Sequence, residues 1–110
     1  TASITPTRSD SKVLVMTSIS GVQKNTNNTY LKARLVRDST EIALLDDGAG
    51  YTDAAGYNLV GSVSTNCVDS PATTSSVTYK VQFKSAGNVA TVRVQTNNSL
   101  STIVLMEIAG

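Results

Sequence analysis

The chain has 110 residues, a formal net charge of +1, no histidine, no tryptophan and one cysteine. That length makes one domain, and nine Lys and Arg scattered among eight Asp and Glu supply no basic stripe of the kind nucleic acid requires. Lack of histidine removes the usual general base and zinc ligand together with the triads built on it, and a lone cysteine allows neither an internal disulfide nor a thiolate metal cluster within one chain.

Taken in order, residues 3–5 read as a short lead-in strand halted by Pro6, and residues 12–20 as a strong strand closed by Gly21. Successive side chains of a strand point to opposite sides, yet Lys12-Val13-Leu14-Val15-Met16 is apolar on both. The polar tract Gln23-Lys24-Asn25-Thr26-Asn27-Asn28 is expected to form a loop. A strand over 29–37 follows, with Leu31, Ala33 and Leu35 on one face and Tyr30, Lys32, Arg34 and Val36 on the other. Asp38-Ser39 is a tight turn into a strand over 41–45. Three glycines between residues 46 and 56 predict the longest irregular stretch of the chain.

A strand over 57–65 comes next, then Cys67-Val68 and a break at Asp69-Ser70-Pro71. Residues 77–84 alternate cleanly: Val77, Tyr79, Val81 and Phe83 inward, Thr78, Lys80, Gln82 and Lys84 toward water. A turn over 85–88 leads into a strand over 89–95, and a turn over 96–99 into the last strand. That strand, Ile103-Val104-Leu105-Met106-Glu107-Ile108, is again apolar on both faces. The expected fold is all-β: a single antiparallel β-sandwich of about eight strands over residues 1–110, jelly-roll or Greek-key. No signal peptide and no apolar run of membrane-spanning length is present, so membrane insertion is not expected.

A sandwich strand needs only one buried face. The surplus apolar face predicts that copies of the chain cover one another, with Leu14, Met16, Val104, Met106 and Ile108 as the candidate subunit interface. Low net charge permits such packing. Asp46, Asp47 and Asp53 flank the glycines of the 46–56 stretch, where hard oxygen ligands suit calcium. The spacing is not that of an EF-hand, however, and acidic residues favour turns in any case, so no cofactor is expected. No glycosidase pair stands out among the carboxylates, because aromatic residues to line a sugar-cleaving groove are too few; an enzyme is not expected. Tyr79 belongs to the core. Tyr51 and Tyr57, in or beside the loop, could stack on a sugar face or a partner protein. With Asn27 and Asn28 they are the candidate surface-recognition residues. Asn27-Asn28-Thr29 and Asn97-Asn98-Ser99 match the glycosylation sequon but read as loop residues, and Cys67 reads as a small buried hydrophobe.

Four stretches share an order with a known group. They are Ile4-Thr5-Pro6-Thr7 running into Ser11-Lys12-Val13-Leu14-Val15; Leu35-Val36-Arg37-Asp38-Ser39-Thr40-Glu41-Ile42-Ala43-Leu44; Asp69-Ser70-Pro71-Ala72-Thr73-Thr74 continuing through residues 77–84; and Ser101-Thr102-Ile103-Val104-Leu105-Met106-Glu107-Ile108-Ala109. In this order they resemble the β-sandwich module of tail-fibre-like and other virion proteins of phages, particularly aquatic ones, where it often stands at the C-terminus. The resemblance spans nearly the whole chain. It implies a virion structural protein, a homotrimer either at a fibre tip, contacting a host-surface glycan or outer-membrane protein, or on the capsid, clamping neighbouring virion subunits. The chain departs from the pattern at Arg8-Ser9-Asp10, where a serine-rich stretch is usual, and in residues 22–28 and 46–56. No binding residue carries over. Opening at Thr1 without an initiator Met, the chain is expected to be the C-terminal part of a longer virion protein.

Overall fold

The computed structural model describes residues 1–55, 58–59 and 61–110. Among these residues, ten strands run in chain order: β1 (Ala2–Ile4), β2 (Lys12–Ile19), β3 (Gln23–Lys24), β4 (Thr29–Arg37), β5 (Thr40–Thr52), β6 (Asn58–Leu59), β7 (Val63–Asp69), β8 (Val77–Ser85), β9 (Val92–Arg93) and β10 (Thr102–Ile108). Seven of them build a two-layer antiparallel sandwich. One layer has the order β1-β8-β4-β5 and the other β10-β2-β7, while β3, β6 and β9 form a small accessory sheet. Only the β4–β5 hairpin stays within its layer; the other successive strands of the sandwich cross from one layer to the other.

Period-two patterning explains the packing. Val13, Val15 and Ile19 of β2 meet Leu31, Ala33 and Leu35 of β4, with Leu45, Val63, Val77 and Tyr79 completing a buried core. Cys67, Ile103 and Leu105 pack against it from the flanking strands. Polar contacts stand at the two ends of β4; one of them joins the two layers, and the other joins the accessory sheet to the end of β5. At one end the Tyr79 hydroxyl and Arg37 Nη1 both donate to Asp69 Oδ2, each at 2.6 Å, joining β8 and β4 to β7 in the opposite layer. At the other end the buried Lys24 ammonium donates to the carbonyls of Thr26 at 2.7 Å, Thr52 at 3.0 Å and Ala54 at 3.3 Å.

Several sequence expectations are corrected here. Residues 46–52 are not loop: β5 continues through them as the long partner of β4. Its thirteen residues oppose nine, and the excess is absorbed at register shifts along the pair. Gly50, at φ 73°, takes a conformation that suits a bulge. Glycine here bends a strand rather than ending it. The strand expected over 57–65 is divided: β6 at Asn58–Leu59 pairs with β3, and pairing with β2 begins at Val63 and runs through Cys67 and Val68 to Asp69, while residues 57 and 60 lie outside the described residues. The strand expected over 89–95 shrinks to β9, because Asn88, Gln95, Asn97 and Asn98 adopt left-handed φ values that no ladder tolerates. The polar tract 23–28 contains β3, and Lys24 in it is buried rather than looped out. Finally, Phe83 shares the inward face with Ala33, its partner in β4, yet remains 42% exposed.

Lys24 carries a prediction. Three carbonyls, one before β4 and two at the end of β5 and just beyond it, converge on one ammonium, and hydrogen bonds to charged groups contribute roughly 1.5–3 kcal/mol each in favourable sites. Lys24→Met keeps the apolar stem and leaves those carbonyls without their donor. Urea denaturation should show a loss of about 2 kcal/mol or more, with an unchanged m value.

Candidate functional site

The two outer faces of the sandwich differ in chemistry. On the four-stranded layer, charges are already paired: Lys32 Nζ lies 2.7 Å from Asp47 Oδ1, and Arg34 bridges Glu41 Oε2 at 2.7 Å and Gln82 Oε1 at 3.0 Å. The Asp47 carboxylate raises the Lys32 pKa. Lys32 also stands 5.7 Å over the Tyr30 ring. This is a solvated surface on which Lys32, Arg34, Glu41 and Asp47 are paired with one another.

The outer face of the β10-β2-β7 layer is the reverse. Register sets its rows: Val104 opposite Met16 and then Asn66, Met106 opposite Leu14 and then Val68, and Ile108 opposite Lys12. Val104 is 46% exposed, Met106 53%, Ile108 41% and Val68 54%, while Leu14 and Met16 are half-buried in the central strand. Asp69 and Glu107 lie opposite the inward-facing Val13, so alternation leaves Lys12 as the only charged side chain these strands contribute outward. All five residues singled out as a candidate interface therefore share one exposed apolar face. Val68 and Asn66 extend it. They were missed because the strand was expected to stop at Thr65; the alternation of Cys67 with Val68 was the available signal.

The candidate recognition residues gather only in part. Tyr51 is 57% exposed, and its hydroxyl donates to Asn28 Oδ1 at 3.0 Å. Its ring sits 6.4 Å from that of Tyr30 at 55°. Asn27 and Asn28 are exposed in the turn that precedes β4. Tyr57 lies outside the described residues. This corner stands at the Thr29–Thr52 end of the sandwich, opposite the end where Arg37 meets Asp69 and Ile108 pairs with Lys12.

No family model, curated protein or solved structure matches the chain. What the surfaces can do must be read from their chemistry. Among the described residues no three His, Cys, Asp or Glu side chains converge to hold a metal ion, and Asp47, one of the three carboxylates weighed for calcium, is engaged by Lys32. Burial and the neighbouring Asp69 raise the Cys67 pKa, the opposite of an activated thiolate. Arg8 and Asp10, at the corner where the chain departs from the phage pattern, satisfy each other through two 2.8 Å hydrogen bonds. Among the described residues, the apolar sheet face stands without a partner.

Proposed function

We propose that this chain is a structural module of a phage virion, a homotrimeric tail-fibre knob. Its copies pack through the outer face of β10-β2-β7, and its Tyr51–Asn28 corner meets the host surface. One observation carries the reading: an apolar face built from Leu14, Met16, Val68, Val104, Met106 and Ile108, with a single charge among its outward side chains. Contiguous exposed apolar surface of this kind marks an interaction site, and the order of sequence elements shared with phage virion modules supplies the setting. The position of the Tyr51 corner, at the end of the sandwich away from Ile108, supports a knob with one end free for contact.

Light scattering on the purified chain tests the assembly, and a mass of three copies is the expected result. A monomer at micromolar concentration would overturn it. Antibody labelling of virions then separates a fibre tip from the capsid shell, where a decoration protein would lie.

A further inference from the structure

Resting on the reading that the Tyr51 corner meets the host surface, we propose that the groove on the outer face of the four-stranded layer binds an acidic saccharide of the hexuronic-acid type. The groove has a volume of about 600 Å³ and is lined by Lys32, Arg34, Glu41, Leu44, Gln82 and Lys84 among others, a size ordinary for small-ligand sites. It lies over β4, which has β8 on one side and β5 on the other. Register sets the rows that cross it: Lys84, Lys32 and Asp47, then Gln82, Arg34 and Leu44. Its two walls therefore differ in kind. Donors come from β8, while β5 supplies an acceptor, Glu41, and an exposed apolar side chain, Leu44.

Each group has a part that a sugar acid fits. Lys84 stands directly opposite Lys32, and like charges so placed weaken a strand pair. A carboxylate held between the two ammonium groups relieves that repulsion and gains charge-assisted hydrogen bonds. Gln82 Oε1 accepts from Arg34 Nε at 3.0 Å, which leaves the amide nitrogen, a donor only, for the ligand. On the other wall, Glu41 Oε2 accepts from Arg34 Nη1 at 2.7 Å, and its second oxygen can accept a sugar hydroxyl. Both ion pairs of the groove are substantially exposed; they contribute little to the fold and can be shared with a ligand. Leu44 meets the C–H face of a ring. Two residues along β4 from Lys32 stands Tyr30, with the exposed Tyr51 ring 6.4 Å from it, so a chain of sugars seated in the groove reaches the recognition corner. An acidic peptide fits worse: its carboxylates recur along the chain and meet Glu41 and Asp47, whereas a sugar ring carries hydroxyl donors beside its single acid group.

Nuclear magnetic resonance titration of the isotope-labelled chain tests the groove, with oligomers of galacturonate and of mannuronate as probes and their methyl esters as neutral controls. One of the two acids should shift the amides of Lys32, Leu44 and Lys84 with a dissociation constant on the order of 1 mM or below, and its ester should not. Lys84→Gln should weaken binding about tenfold or more at an unchanged melting temperature. Lys80→Gln removes the same charge from the same face outside the groove, and should change binding less than about twofold. Glu41→Ala separates a saccharide from a plain polyanion. Removing a negative charge tightens binding of any polyanion, but loosens that of a sugar whose hydroxyl Glu41 accepts. No shift with either acid, equal shifts with the esters, equal losses for the two lysine variants, or tighter binding by Glu41→Ala would each overturn the site. A trimer that binds neither acid refutes the saccharide and leaves the fibre reading standing. A capsid location on virions refutes the fibre reading whatever the titration shows.

Discussion

Met106→Asp is expected to disperse the proposed trimer into monomers and leave each protomer folded. Met106 is about half-exposed in the single chain and sits mid-strand, level with Leu14 and Val68. A polar residue there meets water in the monomer, and surface substitutions of this kind usually stay within roughly 0.5 kcal/mol of neutral. Closed against a second copy, the same carboxylate loses its hydration without gaining a cation. Isolated buried charge is among the costliest features a protein can hold, on the order of several kcal/mol after relaxation. Each 1.4 kcal/mol is about a factor of ten in the association constant, so the dissociation constant should rise by at least a hundredfold. Light scattering reads the fall in mass, and thermal melting checks that the fold persists. Leu44→Asp is the control. Leu44 is equally exposed but belongs to the hairpin strand of the other layer, where paired charges already meet solvent. It should leave the mass unchanged. An unaltered mass for Met106→Asp would remove the β10-β2-β7 face as the seam.

Why the apolar face was legible and the polar bolts were not follows from how each is encoded. Two-sided apolar strands advertise themselves locally. In Lys12-Val13-Leu14-Val15-Met16, neighbours in sequence are by geometry on opposite faces, and antiparallel pairing of β2 with β10 then brings Leu14 to Met106 and Met16 to Val104. The hairpin turn at Asp38-Ser39 was equally local. Lys24 gave no such sign. Its partners are carbonyls of Thr26, Thr52 and Ala54, and a carbonyl belongs to every residue, so nothing in the side chains marks the destination. Among glycines, the pattern that ends a strand and the pattern that bulges one are alike in sequence. The length of the opposing strand decides, which is why residues 46–52 were misread. The Tyr51–Asn28 contact lies between two residues singled out together as a candidate surface, and the Thr29↔Thr52 register brings them side by side.

Asp69→Ala should be the most damaging single change to the protomer itself. One oxygen, Asp69 Oδ2, accepts from both the Tyr79 hydroxyl and Arg37 Nη1, and this shared acceptor links the two layers. Tyr79 is fully buried, while the Arg37 and Asp69 side chains are 21% and 10% exposed. Removing the carboxylate leaves a buried hydroxyl and a mostly covered guanidinium without their acceptor. Breaking a buried pair in this way costs about 3–5 kcal/mol, and the residual exposure of Arg37 puts the expected loss near the lower bound. Tyr79→Phe removes one donor and leaves the ion pair, so its loss should be near 1 kcal/mol. Urea denaturation distinguishes the two, and equal losses would show that the ion pair contributes nothing beyond the phenol. The same site governs behaviour in alkali. Burial and then the Asp69 hydrogen bond raise the Tyr79 phenol pKa above its ordinary value. Unfolding would let that phenol ionise near pH 10, so its contribution to stability is complete below about pH 10 and declines above it. Absorbance titration of the tyrosines should therefore contain a late component that coincides with alkaline unfolding. Tyr79→Phe should lack it. A native-state titration of that phenol in the ordinary tyrosine range would show that the bolt between the layers is open in solution.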